Sequence, residues 1–418
     1  MDNLKIKMPK NVKNIIETLE AAGYEAFAVG GCIRDALMGR TPNDWDITTS
    51  ATPIQVKELF RRTIDTGIKH GTVTVMIGKD GYEVTTYRID GDYIDGRHPD
   101  QVIFTSNLVE DLKRRDFTIN AMAYNDRAGV VDAFDGISDL ENKLIKCVRV
   151  ATERFTEDAL RILRAIRFSA QLGFIIDADT ANAIEELGQN LTLISKERIQ
   201  TELDKLITSA HPERIILIHS LGLNKYIFEG ATVLNDCIPE LYDFSADIMN
   251  ALPRDHFLRW AAFMYYENDP VTVLKKLKFD NATVNICSKL VAAARTPLPT
   301  DKPTLRRMIV KYGTDIFDNY LFTFLNALAK NSLYDFGDNN SIEAFKQLYE
   351  EIINDKDCIS MKDLAVGGAI LIKEGYEPGK KLGAILDYLF NQVLDNPSLN
   401  TEETLLSLAK EYNASLNN

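Results

Sequence analysis

No run of eighteen apolar residues occurs in the 418-residue chain, so the sequence offers no membrane-spanning helix. The opening stretch MDNLKIKMPKNVKNII lacks the continuous apolar core of a secretory signal, and a cytoplasmic protein is expected. The five cysteines (Cys32, Cys147, Cys237, Cys287, Cys358) include no Cys-x-x-Cys pair, which argues against a disulfide framework and against a structural zinc site. Positive charge is in deficit: 48 Lys and Arg against 61 Asp and Glu leave a net charge of −13. That balance argues against a general nucleic-acid binder and against a DNA partner, but leaves room for an enzyme that gathers its arginines in one cleft. Internal repeats and low-complexity tracts are also missing. What remains is an ordinary globular composition, 45% hydrophobic and 26% charged, long enough for several domains.

Two regions differ in pattern. The spacing predicts a helix over 11–22 (NVKNIIETLEAA) closed by Gly23. A strand at EAFAVGG (25–31) then runs into Gly30-Gly31, and a helix at CIRDALMG (32–39) follows. GTVTVMIGKDGYEVTTYRID (71–90) predicts a hairpin in which Val73, Val75 and Ile77 alternate, Asp80-Gly81 makes the turn, and Val84, Thr86 and Arg88 share a face. From about residue 153 the period changes. TEDALRILRAIRFSAQLGF (156–174), DTANAIEELGQNL (179–191) and SKERIQTELDKLITSA (195–210) read as consecutive helices. The proline-rich ARTPLPTDKPT (294–304) reads as a later linker. The expected fold class is α+β: a head with a mixed sheet and helices, then an all-helical remainder.

The chemistry concentrates in GGCIRDALMGRTPNDWDITT (30–49). Residues two apart on a strand project to one side, so Asp44 and Asp46 would point together while Trp45 packs behind them. Two such carboxylates make a hard oxygen site suited to Mg²⁺, whose other ligands are water and substrate phosphates. Glu83, facing opposite to Val84 on the return strand, supplies a candidate third carboxylate. Gly30 and Gly31 permit close approach of a phosphate to the backbone, and Arg34 lies one turn into the following helix. Taken alone, Asp-x-Asp beside Pro42-Asn43 reads as a solvated turn, and Gly-Gly as a plain strand-to-helix turn. The combination, with Gly31 thirteen residues before Asp44, is more specific. VEDLKRRDFTINAMAYN (109–125) adds Lys113, Arg114 and Arg115 beside Asp116 and Asn120, a network that would turn Arg115 toward the cleft.

The 30–49 segment resembles the nucleotide- and metal-binding motif of the polymerase beta-like nucleotidyltransferases. With RRDFTINAMAY (114–124) and RFTEDALRILRAIRFSAQLGF (154–174) it resembles, more narrowly, the class II tRNA nucleotidyltransferases, or CCA-adding enzymes, and the bacterial poly(A) polymerases. The resemblance is close over about 20–210 and looser at GGAILIKEGYEPGKKLGAILDYLFNQVL (367–394). It implies a catalytic head over 1–149, a neck over 150–210 with a nucleotide-selecting motif, a body over 211–297 and a tRNA-binding tail over 298–418. It further implies Asp44, Asp46 and Glu83 as catalytic residues, with the metal on Asp44 and Asp46. The triphosphate and base fall to Gly30, Gly31, Arg34, Arg115, Asn120, Asp158, Arg161, Arg164 and Arg167. The implied substrates are CTP, ATP and tRNA, and the implied cofactor is Mg²⁺.

The selecting motif is Glu157-Asp158-Ala159-Leu160-Arg161. Residues three apart neighbour each other on a helix, so Asp158 and Arg161 would present an acceptor beside a fork of donors. Cytosine and adenine both place an exocyclic amino donor next to a ring-nitrogen acceptor. Guanine and uracil reverse that polarity and would leave groups unpaired, at about 1–3 kcal/mol each. Arg164 and Arg167 continue the spacing, but each three-residue step turns back about 60°, which assigns them to the triphosphate or the pocket walls. Without the head motifs, the same stretch reads as a charged face on a core helix.

TYRIDGDYIDGRHPDQVIF (86–104) is polar and glycine-bearing, and resembles the flexible loop of CCA- and A-adding enzymes, which CC-only members lack. The chain ends in EYNASLNN, without the basic extension of the poly(A) polymerases. Asp255-His256 reverses the order of the HD phosphohydrolase motif found in some relatives, and no phosphatase activity is expected. An enzyme adding only the terminal A remains the alternative. In the tail, RTPLPTDKPTLRRMIVK (295–311) and EPGKKLG (377–383) are the basic segments expected to meet tRNA phosphates.

Overall fold

Helix α1 (Lys10–Ala21) forms because Val12, Ile15, Ile16 and Leu19 recur at helical spacing and bury one stripe; Gly23, at φ +89°, ends it. The structure is a computed structural model that describes residues 5–91, 102–236, 239–330 and 339–416. Beyond α1 the head continues with β1 (Ala26–Val29), α2 (Gly31–Leu37), β2 (Asp46–Thr49), α3 (Pro53–Leu59), β3 (Thr63–Gly67), β4 (Thr72–Ile77) and β5 (Asp80–Thr86). There follow β6 (Arg88–Asp90), β7 (Val102–Phe104), α4 (Leu108–Lys113), β8 (Met122–Asn125), β9 (Gly129–Asp132) and α5 (Gly136–Glu141). Seven strands form one mixed sheet in the order β3-β4-β5-β2-β1-β8-β9, whose one parallel pair is β2 with β5.

The central strand β1 is buried on both faces, which its apolar AFAV sequence requires. Ala26 and Ala28 join a core with α1, Trp45, Ile47 and Val84, while Phe27 and Val29 face Leu108, Leu112, Ala123 and Tyr87 on the other side. Trp45 is therefore packed behind the aspartates, as its position between them predicts. The hairpin turn differs from the expectation. Ile77 pairs with Asp80, so Gly78 and Lys79 make the turn, with Gly78 at φ +64°. A two-residue hairpin loop needs positive φ at its first position, and Gly78 provides it two residues before Asp80-Gly81. Arg88 leaves the hairpin too: β6 pairs with β7 and ties together the two ends of the 86–104 segment. Residues 92–101, the centre of that segment, lie outside the described residues.

The short strand β10 (Leu144–Ile145) pairs in parallel with β11 (Ile175–Ile176), and around it lie α6 (Ala151–Glu157), α7 (Leu160–Leu172), α8 (Ala178–Leu187) and α9 (Lys196–Ile207). The stretch 156–174 is not one helix. Asp158 adopts φ −140° and ψ 102° between α6 and α7, and its carboxylate accepts from Leu160 N at 3.0 Å and from Arg198 of α9 at 3.0 Å. Local capping and a partner on a neighbouring helix outweigh the continuous helical period.

The chain divides into two units, Met1–Tyr242 with Thr272–Phe279, and Asp243–Val271 with Asp280–Asn418. In the second unit the regular elements among the described residues are all helices. Its cores are built on Trp260, Phe263, Phe317, Phe324 and Phe345, and on Leu382, Ile385, Leu389, Val393 and Leu405. The proline-rich segment lies inside this unit, between helices Asn281–Ala294 and Lys302–Tyr312. Arg306, expected to face phosphates, is buried instead: its Nε donates to Asp357 at 2.6 Å and its Nη1 to the Leu394 carbonyl at 2.9 Å. Lys380 and Lys381 are exposed at the start of helix Lys380–Asp395. No helix among the described residues is long and apolar enough to cross a membrane.

Candidate active site

Gly30 ends β1 at φ +84° and ψ −133°, a conformation open essentially to glycine, and starts α2. A Cβ at Gly30 would lie 2.9 Å from Arg115 Nη1. At Gly31 it would lie 3.6 Å from Arg34 Nη2, so both guanidinium groups lie directly against the glycine backbone. Arg34 Nη1 donates to Asn120 Oδ1 at 2.7 Å, and its Nε donates to Asp35 at 2.9 Å. Asn120 in turn donates from Nδ2 to Asp116 Oδ1 at 3.1 Å. Gly30, Gly31, Arg34, Arg115 and Asn120 are thus brought together.

Asp46 opens β2 on the face opposite to the buried Ile47. The register that pairs Ile47 with Val84 places Glu83 beside Asp46 on the neighbouring strand, on the same face. Burial raises the Asp46 carboxyl above the usual carboxylate range; Arg115 pulls it down and Asp44 pushes it up. Glu83 is also raised, by burial first and then by the charges of Asp46 and Asp44. Asp46 and Glu83 therefore share one face, and Asp44, two residues before β2's Asp46, is near enough to add to their repulsion, which a bound cation would relieve. Among the described residues no three His, Cys, Asp or Glu side chains converge as a ready metal cage. A two-carboxylate site completed by substrate phosphates and water suits Mg²⁺ better than such a cage.

The basic segment is organised by an acid that motif reading passed over. Asp111, fully buried on α4, accepts from Arg114 Nε at 2.9 Å and from Thr48 Oγ1 at 3.1 Å, and lies 3.6 Å from Arg115. Burial pushes its carboxyl up, but Arg114 and Arg115 outweigh burial and hold it low. The signal was present as acid–base spacing of three and four residues on one helix. Arg115 is held against Asp111 and feels the charge of Asp46, and its Nε is buried without a hydrogen-bond partner.

The neck arginines are more enclosed than their spacing suggests. Arg161 is buried and donates to Glu157 at 2.6 Å and to the carbonyls of Arg154 and Arg114, each at 3.1 Å. Asp158 and Arg161 adjoin at the α6–α7 junction, where Arg161 N donates to the Asp158 carbonyl at 3.0 Å. Arg164 Nε donates to Asp116 Oδ2 at 2.8 Å. Arg167 Nε donates to Glu202 at 2.5 Å and its Nη1 to Gln171 at 2.7 Å, which makes it part of the wall between α7 and α9.

A glycine turn backed by arginines, beside a carboxylate pair, has the donors and the open backbone that a nucleoside triphosphate would need. Three family models match the chain. The model described as "Poly A polymerase head domain" matches residues 26–146, "Probable RNA and SrmB- binding site of polymerase A" matches 173–234, and "tRNA nucleotidyltransferase domain 2" matches 253–409. A CCA-adding enzyme from Lactiplantibacillus plantarum is 37% identical over 417 residues, covering 95% of each chain. The chain belongs to the CCA-adding enzyme family. A CCA-adding enzyme from Streptococcus mutans is 36% identical over 95% of this chain and 96% of its own length. The crystal structure of the Bacillus stearothermophilus CCA-adding enzyme in complex with CTP superposes with a TM-score of 0.76 at 29% identity, covering 99% of both chains. The Thermotoga maritima CCA-adding enzyme, solved with tRNA, shares the fold at a TM-score of 0.62 and 19% identity over 98% of this chain and 97% of that one. As a CCA-adding enzyme family member, the chain is a class II tRNA nucleotidyltransferase with the α+β architecture expected from its sequence.

Proposed function

We propose that this protein adds C, C and A to the 3′ end of tRNA from CTP and ATP, without a nucleic-acid template, releasing pyrophosphate at each step. The observation that supports this reading is that Arg34 and Arg115 lie against the Gly30–Gly31 turn while Arg115 and Asp44 both act on Asp46, which Glu83 adjoins on the neighbouring strand. In this reading Arg34 and Arg115 bind the triphosphate oxygens, and the glycines let those oxygens come against the backbone. Asp44 and Asp46 would hold Mg²⁺, which when bound neutralises phosphate charge and lowers the pKa of the entering 3′-hydroxyl. Glu83 supplies the third negative charge of that face. Asn120 and Asp116 keep Arg34 and Arg164 oriented.

Asp158 and Arg161 read the base edge. Asp158 already accepts two hydrogen bonds, and a carboxylate offers about four acceptor sites, so an exocyclic amino group can still be taken. Arg161 reaches the ring nitrogen by exchanging one of its present partners. The head over 1–149 carries out transfer, the neck over 150–210 selects, and the body and tail over 211–418 hold the tRNA, with Lys380 and Lys381 as phosphate contacts. The test is extension of two tRNA transcripts, one ending before CCA and one ending in CC, with CTP and ATP supplied singly and together. Three additions to the first and one to the second are expected. Activity confined to the CC-ended transcript would make this an A-adding enzyme.

A further inference from the structure

Phe168 of α7 is the meeting point of three guanidinium groups. The Cζ atoms of Arg167, Arg34 and Arg164 lie 3.9, 5.2 and 5.5 Å from its ring centroid. The ring is buried and held edge-on by Phe117, with centroids 5.8 Å apart and planes at 82°. Arg34 comes from the head, and Arg164 and Arg167 from the neck helix itself. Each arginine has its own acid (Asp35, Asp116 and Glu202), and Asn120 bridges Arg34 to Asp116. Those acids neutralise the charges, and the Asn120–Asp116 link ties Arg34 to Arg164 through hydrogen bonds. The electron-rich face of the aromatic ring adds the one contact common to all three guanidinium groups, within about 6 Å.

We propose that Phe168 is a positioning residue for the triphosphate: its ring holds Arg34 and Arg164 at a fixed separation and so joins the neck helix to the phosphate-binding turn of the head. The proposal rests on the nucleotide-binding reading above. It concerns the phosphates, not the base, so its loss affects CTP and ATP alike. Leucine at 168 fills much of the volume without a ring quadrupole. A ring-fluorinated phenylalanine keeps the shape and weakens the quadrupole.

The experiment measures the Kd of CTP and of ATP, with Mg²⁺ and without tRNA, for wild type, Phe168→Leu, Phe168→Tyr, and protein carrying 3,4,5-trifluorophenylalanine at 168. Phe168→Leu and the fluorinated protein should weaken both nucleotides by about three- to tenfold, by similar factors. Phe168→Tyr should bind as wild type does. In an Arg34→Lys background the fluorination effect should shrink, since one of the groups held by the ring has changed shape. Unchanged Kd values on fluorination, or a loss confined to one nucleotide, would overturn the proposal. Because binding is read without transfer, a wild type that binds nucleotides but does not extend tRNA refutes the functional reading alone. A wild type that binds neither nucleotide overturns both.

Discussion

Gly30 and Arg115 are packed so closely that a single methyl group at Gly30 would fall 2.9 Å from the arginine's Nη1. The glycine also holds φ +84°, so a substitution strains the backbone as well as displacing the guanidinium. Such conformations cost non-glycine residues about 1–3 kcal/mol. Gly30→Ala should lower thermal stability by a few degrees and weaken nucleotide binding by at least about tenfold. Isothermal titration with ATP checks both arms when paired with a melting curve. Wild-type affinity in a folded Gly30→Ala protein would remove the turn from the triphosphate site.

The acidic face gives a metal prediction. Asp44, Asp46 and Glu83 repel one another when ionised, and a cation relieves that repulsion. Saturating Mg²⁺ should raise the melting temperature of the wild type by about 2–4 °C. Asp46→Asn should melt no lower than the wild type in chelator, show no response to Mg²⁺ and transfer no nucleotide. Asp44→Ala should likewise abolish transfer while tRNA binding is kept. A full Mg²⁺ response in Asp46→Asn would place the ion elsewhere.

Base choice is tested at Arg161. Removing the whole side chain also strips Glu157 and two carbonyls of a partner, so Arg161→Ala should lose stability as well as selectivity. Arg161→Lys keeps the charge without the planar fork. It should fold with a melting temperature near that of the wild type, and admit UTP and GTP about tenfold or more readily relative to CTP and ATP. Competition assays with all four triphosphates read this ratio. Unaltered preference in Arg161→Lys would mean that another group reads the base.

Asp116 sets a pH dependence. Burial pushes its carboxyl up, but Arg164, with hydrogen bonds from Asn120 and Arg164, outweighs burial and holds it well below the usual carboxylate range. A carboxyl lowered in the folded state adds stability above its unfolded value, near pH 4, and that stability is lost as pH falls toward the folded value. The melting temperature of wild type should exceed that of Asp116→Asn by a constant margin at neutral pH, with the margin closing below about pH 4. A margin that grows on acidification would contradict the assignment.

Much of the head was legible because its signals are local. The α1 stripe, the Gly30-Gly31 turn and the alternation of β4 depend on residues within a few positions of each other. What escaped reading depends on partners far along the chain. EDALRILRAIRF carries an unbroken helical period, and the break at Asp158 reflects capping of Leu160 together with Arg198, forty residues away. Arg306 sits in a basic run that looks solvated, yet its partners Asp357 and Leu394 arrive 51 and 88 residues later. Asp111 had a local signal in its spacing to Arg114 and Arg115, but an acid beside a basic run is hidden by the charges it orders.

In the proposed reaction, protein side chains alone choose C, C and then A at one site. 3′-end sequencing of a CCA-less tRNA after incubation with wild-type protein, Mg²⁺ and equal amounts of all four triphosphates tests this. The products are expected to end in CCA and to stop there. Runs of A, incorporation of G or U at rates comparable with C, or no extension until CC is already present would contradict that reading.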